Sequence, residues 1–379
     1  MKKFYDIQAE EEKKTRAWLV GLPLLENPSG LAELQGLIWT LGMEEAGQTI
    51  LSRLDVQPAY GMGSGKAKEI RDAALLAQAD CIIMDWELDP TKQRNWEKLC
   101  GVPVFDRQEV IIRIFASRAQ TREAVLQVEL ARLEYSLPRL AHMYGDLARQ
   151  RGGNYGAKGS GEKQLELDRR QTRLKIQQVK EELKKVRQNR ATQRKRRQKI
   201  PLPALALCGY TNAGKSSLLN ALTGSEALVE NKLFATLDPL TRRMKCQASE
   251  ILLTDTVGFI SNLPHQLIDA FKSTLEEAAL ADALLIVLDS SDPNALEEAA
   301  TVLKVLEQIG AGQKPRLVVL NKIDALESLG GEGSEKLLVQ LAALKERFPD
   351  ALEASAKSGA GLDLIKQKIF DIIKKCENA

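Results

Sequence analysis

Histidine is almost absent from this 379-residue chain: His142 and His265 are the only two. Neither has a cysteine or histidine pair beside it, so no zinc centre is expected. Cysteine is sparse as well. Cys81, Cys100, Cys208, Cys246 and Cys376 make an odd set without close spacing, which argues against a disulfide framework and for a reducing, cytoplasmic setting. No apolar run approaches the ~18 residues of a membrane span. The start, Met1 to Asp6, runs into acidic and basic residues and lacks the apolar core of a signal peptide. Internal repeats are missing too. What remains is an ordinary soluble composition, 44% hydrophobic and 28% charged, on a chain long enough for two or three domains.

The net charge is only +3, but it is unevenly placed. Residues 151–200 hold 17 Lys/Arg against 5 Asp/Glu, a surplus of 12, which leaves −9 for the remainder. A basic segment on an otherwise acidic protein points to a polyanionic partner. The run Arg194-Lys195-Arg196-Arg197 strengthens this, because so dense a cluster repels itself without a counter-charge.

One stretch carries explicit chemistry. Gly209-Tyr210-Thr211-Asn212-Ala213-Gly214-Lys215-Ser216 is a complete GxxxxGK[ST] phosphate loop. It follows the apolar run Ala204 to Cys208 and precedes a helical pattern from Ser217 to Leu222, the strand–loop–helix setting that the motif needs. Backbone N–H groups of such a loop, at a helix N-terminus, form an anion site. Lys215 would reach the β- and γ-phosphates, and Ser216 would hold Mg²⁺.

Later motifs choose the base. Asn321-Lys322-Ile323-Asp324 follows a second apolar run, Leu317 to Leu320. The Asp324 carboxylate can accept from guanine N1–H and the 2-amino group, a donor pair that adenine lacks, so GTP/GDP is the expected ligand. Ser355-Ala356-Lys357 would close over the base. In Asp255-Thr256-Val257-Gly258, Asp255 is placed to bind Mg²⁺ through water and the Gly258 N–H to meet the γ-phosphate. Thr236 is the natural switch-I threonine and a further Mg²⁺ ligand. Lys215, Thr236 and Gly258 form the expected catalytic set, and Gly209 to Ser217 the phosphate cradle. The residue after Gly258 is Phe259, where many G proteins carry a water-orienting glutamine. A phenyl ring cannot orient water by hydrogen bonding, so slow hydrolysis is expected until a partner completes the site. Asn212 could help hold K⁺ beside the phosphates.

The rest of the chain sorts around this centre. Residues 1–118 read as a small α/β domain, with strands at Trp18–Leu22, Cys81–Met84 and Val102–Phe105 and helices at Leu31–Leu41, Lys66–Leu76 and Gln108–Phe115. Tyr60-Gly61-Met62-Gly63-Ser64-Gly65-Lys66 imitates a phosphate loop but has Tyr where the first glycine belongs and Ala67 where Ser/Thr belongs; a glycine turn before a helix is the better account. Residues 119–200 read as a helical hairpin. Leu126, Leu130, Leu133, Leu137, Leu140, Tyr144 and Leu147 make a heptad seam, answered by Ile176, Val179, Leu183 and Val186 on a second arm starting near Gln164. Pro138 is expected to bend the first arm. Between the arms, Gly152 to Gly161 contains five glycines and reads as a mobile tip. Residues 201–379 alternate strands and helices as a doubly wound α/β G domain.

With the G motifs stand Val104-Phe105-Asp106-Arg107, Gln127-Val128-Glu129-Leu130-Ala131, Tyr135-Ser136-Leu137-Pro138-Arg139-Leu140, Gly161-Glu162-Lys163-Gln164-Leu165-Glu166 and Asp168-Arg169-Arg170. In these the chain resembles the HflX-type GTPases, translation-factor-related P-loop G proteins. The resemblance implies an N-terminal domain joined by a helical hairpin to a G domain, binding to the large ribosomal subunit and its RNA, and a role in separating stalled ribosomes; a monomer is expected. By the same resemblance Asn212 implies K⁺ stimulation. Two departures stand out: Ser160 and Lys163 replace the Pro and Thr usual at the exit of the glycine loop, and a C-terminal domain found in some members is not seen. Two other readings fit the same site residues. One is a GTPase serving RNA modification or subunit assembly. The other is an RNA-binding module whose GTP site regulates affinity.

Overall fold

The computed structural model describes residues 14–22, 31–53, 59–150, 160–197, 202–225, 232–246, 249–261, 276–327 and 332–377. The chain divides into two compact units, Met1–Ile111 and Ile112–Ala379.

In the first unit, strands β1 (Arg16–Gly21), β2 (Glu44–Ile50), β3 (Cys81–Met84) and β4 (Val104–Asp106) pair in parallel in the order β2-β1-β3-β4. Helices α1 (Ala32–Thr40), α2 (Ser64–Leu76) and α3 (Pro90–Cys100) connect them, and α4 (Arg107–Arg118) follows. β3 reads Cys-Ile-Ile-Met and is buried at every position, as a strand covered on both faces must be. Trp96, Ile82, Met84 and Ile70 fill one core. The expected strand at Val102–Phe105 starts two residues later, because Gly101, at φ 71°, is the left-handed C-cap of α3. The glycine turn at 60–66 opens α2 with Gly63 as N-cap, and the Tyr60 carbonyl accepts from Trp96 Nε1 at 3.0 Å. That turn is spent on packing.

The polar interior of this unit includes an ion cluster. Arg107, 4% exposed, donates to Asp85 Oδ1 at 2.8 Å and to Glu33. Burial opposes its charge, but the two carboxylates outweigh burial and hold the guanidinium above its ordinary value.

In the second unit, α5 (Arg122–Gln150) and α6 (Ser160–Arg197) form the hairpin. Leu126, Val179 and Leu183 are buried in its seam, with Leu130, Leu133 and Val186 packed around them. Burying each of these side chains contributes roughly 1.5–3 kcal/mol. Lys175–Glu129 and Lys180–Glu134 cross the seam at 2.8 and 2.7 Å, but such exposed pairs add at most about 1 kcal/mol each. α5 continues through Pro138. α6 begins at Ser160, four residues before the expected start, so the last two residues of the predicted tip are helical; residues 151–159 and the side chains of Tyr144, Leu147 and Arg194–Arg197 lie outside the described set.

The remainder is a six-stranded sheet in the order β10-β9-β8-β5-β7-β6. It comprises β5 (Ala204–Gly209), β6 (Leu240–Cys246), β7 (Ser249–Asp255), β8 (Ala283–Asp289), β9 (Arg316–Asn321) and β10 (Leu352–Glu353). Only the edge strand β6 is antiparallel; the other pairings are parallel. Helices α7 (Lys215–Thr223), α8 (Ala295–Gln308), α9 (Ile323–Glu327), α10 (Glu332–Arg347) and α11 (Leu362–Glu377) accompany it. Leu205, Leu207, Leu285, Val287 and Val319 meet Leu218, Leu222, Ile365 and Ile369 in the main core. This packing fixes the C-terminal ends of β5, β7, β8 and β9 side by side, where ligands of open α/β sheets bind.

Candidate nucleotide site

At those strand ends lies a cavity of about 500 Å³. Of the residues singled out by sequence, Thr211, Asn212, Gly214, Lys215, Ser216, Ser217, Thr236, Gly258, Asn321, Lys322, Asp324, Ala356 and Lys357 line it. Gly209, Tyr210, Ala213, Asp255 and Ser355 stand behind this lining. Lys232, Phe234, Ala235, Thr256 and Ala325 line it as well.

The loop between β5 and α7 is held open by its backbone. Asn212 takes φ 61° and Gly214 φ 88°. A Cβ at Gly214 would overlap the Asn321 amide, so this position requires glycine for space and for conformation alike. Lys215 is 6% exposed and donates to the Tyr210 carbonyl at 2.7 Å. Burial lowers its pKa, although Asp255 pulls it the other way.

Three oxygens converge beside it. The Ser216 hydroxyl donates to Asp255 Oδ2 at 2.6 Å, the Thr236 hydroxyl donates to the same oxygen at 3.0 Å, and the two hydroxyls are 2.9 Å apart. Asp255 is fully buried, and among the described residues its other oxygen, Oδ1, has no hydrogen-bond partner. Burial raises this carboxyl's pKa, against the pull of Lys215. One carboxylate and two hydroxyls suit a hard divalent cation that completes its shell with phosphate oxygens and water.

Gly258 closes the phosphate end. A Cβ there would lie 2.8 Å from Thr211 Cα and 2.9 Å from Lys215 Nζ. The segment after β7 is zipped onto the loop: the Thr211 N–H donates to the Phe259 carbonyl at 2.7 Å and the Phe259 N–H to the Gly209 carbonyl at 3.1 Å. The Tyr210 hydroxyl lies 2.6 Å from both the backbone nitrogen and Oγ of Ser261. Phe259 itself is 1% exposed and does not line the cavity. Its ring belongs to the core.

The opposite end is tied together by the protein alone. Asn321 donates through Nδ2 to the Ala213 carbonyl at 2.9 Å, and its Oδ1 accepts from the Ala356 N–H at 3.0 Å. Ser355 Oγ donates to Asp324 Oδ1 at 2.6 Å, which holds one carboxylate oxygen in place. Lys322, at φ 65°, pairs with Asp289 at 2.6 Å, and Ser290 donates through N and Oγ to the Asn321 carbonyl. Asp289 and Ser290 were missed by sequence reasoning. Their position at the C-terminal end of an apolar run, Ala283 to Leu288, was the available signal.

A GxxxxGK[ST] loop, a cation-suited oxygen cluster and an Asn-Lys-x-Asp motif on one doubly wound sheet define a P-loop G protein. Three family models cover most of the chain: "GTP-binding GTPase N-terminal" matches residues 29–116, "GTP-binding GTPase Middle Region" 118–197, and "50S ribosome-binding GTPase" 204–322. Curated relatives include the GTPase HflX of Akkermansia muciniphila, 49% identical over 84% of this chain and 76% of the relative. That of Treponema denticola is 48% identical over 90% and 87%, and that of Escherichia coli 41% identical over 90% and 78%. Among solved structures, the SsGBP–GDP complex aligns over 96% of this chain and 99% of its own at 27% identity, with a TM-score of 0.50. The chain belongs to the HflX family of GTPases.

Proposed function

We propose that this GTPase is a cytoplasmic, monomeric switch protein that binds the large ribosomal subunit through its basic hairpin and separates stalled ribosomes into subunits. The observation that carries this is the hairpin: a 38-residue helix, α6, lies within the segment that holds the charge surplus and packs on α5 through a small apolar seam. A long basic surface outside the nucleotide domain suits extended RNA. The description of the nucleotide-domain model, a 50S ribosome-binding GTPase, supports the same partner. No described helix is long and apolar enough to cross a membrane.

At the site, Lys215 and the loop N–H groups hold the β- and γ-phosphates, Asp324 reads guanine, and Ser355 orients Asp324. Ser216, Thr236 and Asp255 hold Mg²⁺, which when bound offsets the charge developing between the phosphates. Asn212, on the cavity wall, offers an oxygen to K⁺. Phe259 is turned into the core, so no side chain at its position orients the attacking water. The ribosome supplies what is missing, and groups given in trans are worth about 10³–10⁵-fold.

The test is co-sedimentation with purified large subunits in GDP and in a non-hydrolysable GTP analogue, across a salt series. Retention with the analogue, release with GDP and a steep fall in affinity with salt are expected. Equal, salt-insensitive retention in both nucleotides contradicts the reading. Nucleotide-dependent retention without stimulated turnover would favour an RNA-binding module that GTP regulates.

A further inference from the structure

Within the second unit, the corner that joins α4 to α5 touches the switch-I segment on both sides of Thr236. On one side, Phe115 and Phe234 are both buried and meet edge to face, ring centroids 4.6 Å apart at 67°. Phe234 adopts φ 54°, a left-handed backbone that bulky residues rarely take, and its ring packs on Phe115 in that conformation. On the other side, Asp238 caps the first arm of the hairpin. Its Oδ1 accepts from the Thr121 hydroxyl at 2.5 Å, and its Oδ2 from the N–H groups of Thr121 and Gln120 at 3.2 and 3.4 Å. Thr121 Oγ1 in turn accepts from the Ala124 N–H at 3.2 Å. A carboxylate that takes N–H donors at a helix N-terminus is favoured by hydrogen bonding and by the helix dipole together. Between the two anchors Leu237 is buried, and Thr236 reaches Ser216 and Asp255.

Five consecutive residues therefore fasten to the helical corner, to the cation-suited cluster, and to the helical corner again. We propose that Phe115 and Thr121, acting through Phe234 and Asp238, are positioning residues for Thr236, and that the same contacts couple the first arm of the hairpin to the state of the nucleotide. This rests on the reading of Thr236 as the switch threonine. Coupling of this kind is reciprocal for binding: a ligand that seats Thr236 tightens the first turn of α5, and a partner that holds α5 in that arrangement favours the seated Thr236.

The test uses the full-length protein and four variants, T236A, D238A, D238N and T121V. The anchors at 121 and 238 lie at the surface of the unit, which avoids the unfolding that a Phe115 truncation risks. Three quantities are read: kcat for GTP, GDP affinity, and amide exchange across residues 120–127 with GDP and with a non-hydrolysable GTP analogue plus Mg²⁺. In the wild type the analogue protects 120–127 more than GDP does. D238A and T121V lose that difference and lower kcat about tenfold, the cost of a hydrogen bond to a charged group, while GDP affinity stays within about threefold. D238N keeps an acceptor for the backbone N–H groups and recovers most of both readouts. If D238A and T121V keep wild-type kcat and protection while T236A is impaired, the positioning role is wrong and the reading of Thr236 stands. If T236A itself turns over at the wild-type rate, that reading fails and the inference falls with it.

Discussion

Each unit of the molecule buries a charged cluster, and the two clusters are built on opposite principles. In the first unit Arg107 faces two carboxylates, Glu33 and Asp85, and its pKa rises despite burial. In the second, Lys215 bonds to a carbonyl, one oxygen of Asp255 has no hydrogen-bond partner among the described residues, and burial pushes both groups toward their neutral forms. A cation answered inside the protein is a structural lock. Charges held in a cavity without full compensation suit a ligand that brings the missing ones. At Arg107 the carboxylates outweigh burial; at Lys215 and Asp255 burial outweighs the partners.

Several substitutions would break or sharpen that contrast. The largest effect is expected from R107A, which leaves Glu33 and Asp85 buried without their cation. Destabilisation of the first unit by about 3–5 kcal/mol is expected in urea unfolding, with GDP affinity of the remaining folded protein unchanged. A loss below about 1 kcal/mol, the level of a surface pair, would show that the cluster is no lock. K215A makes the opposite demand. Turnover should fall about 10²–10³-fold, while thermal stability without nucleotide holds or rises, because a desolvated cation is gone. A large drop in apo stability would place Lys215 with Arg107 as a structural residue. At the base end, D324N presents a donor where guanine also donates. GTP affinity is expected to fall by about 100-fold and xanthosine triphosphate, whose 2-oxo group accepts, to gain; competition binding with both nucleotides decides this.

The smallest effect is a pH dependence. Burial pushes the Cys208 thiol up to about 12 from an ordinary value of 9.0. The folded state therefore keeps a proton that the unfolded state gives up, so stability is full below pH 9.0 and is lost as pH rises toward 12. Between pH 8 and pH 10 the wild type should lose about 1 kcal/mol more than C208A. Equal losses in urea titrations at the two pH values would mean that the thiol titrates normally.

The GxxxxGK[ST] loop, the Asn321–Asp324 motif and their order were legible because each is a short local pattern attached to an apolar strand. The partners that set their geometry were not. Ser290 and Asp289 act from a neighbouring strand, and Phe115 meets Phe234 across more than a hundred residues, with nothing in either local sequence to announce the contact. In the first unit, β2 reads Glu-Glu-Ala-Gly-Gln-Thr-Ile, an edge strand whose polar outer face hides the strand signal. Helix α3 buries only Gln93, Trp96 and Cys100, too few for periodicity. Its punctuation was readable all the same: Asp89 caps it, Pro90 opens it and Gly101 ends it. The early start of α6 at Ser160 was masked by glycines that read as loop. β6 went unrecognised because Arg242, Arg243 and Lys245 interrupt its apolar residues, a charge pattern suited to the exposed edge of the sheet.

On the proposed reading, the phosphate end is incomplete alone and is finished by the large ribosomal subunit. GTP hydrolysis in potassium buffer, with and without purified large subunits, tests it most directly. Slow turnover alone and strong stimulation, on the order of 10³-fold or more, with Phe259 left in the core, are expected. Turnover that is already fast without the subunit, or that the subunit leaves unchanged, would contradict it.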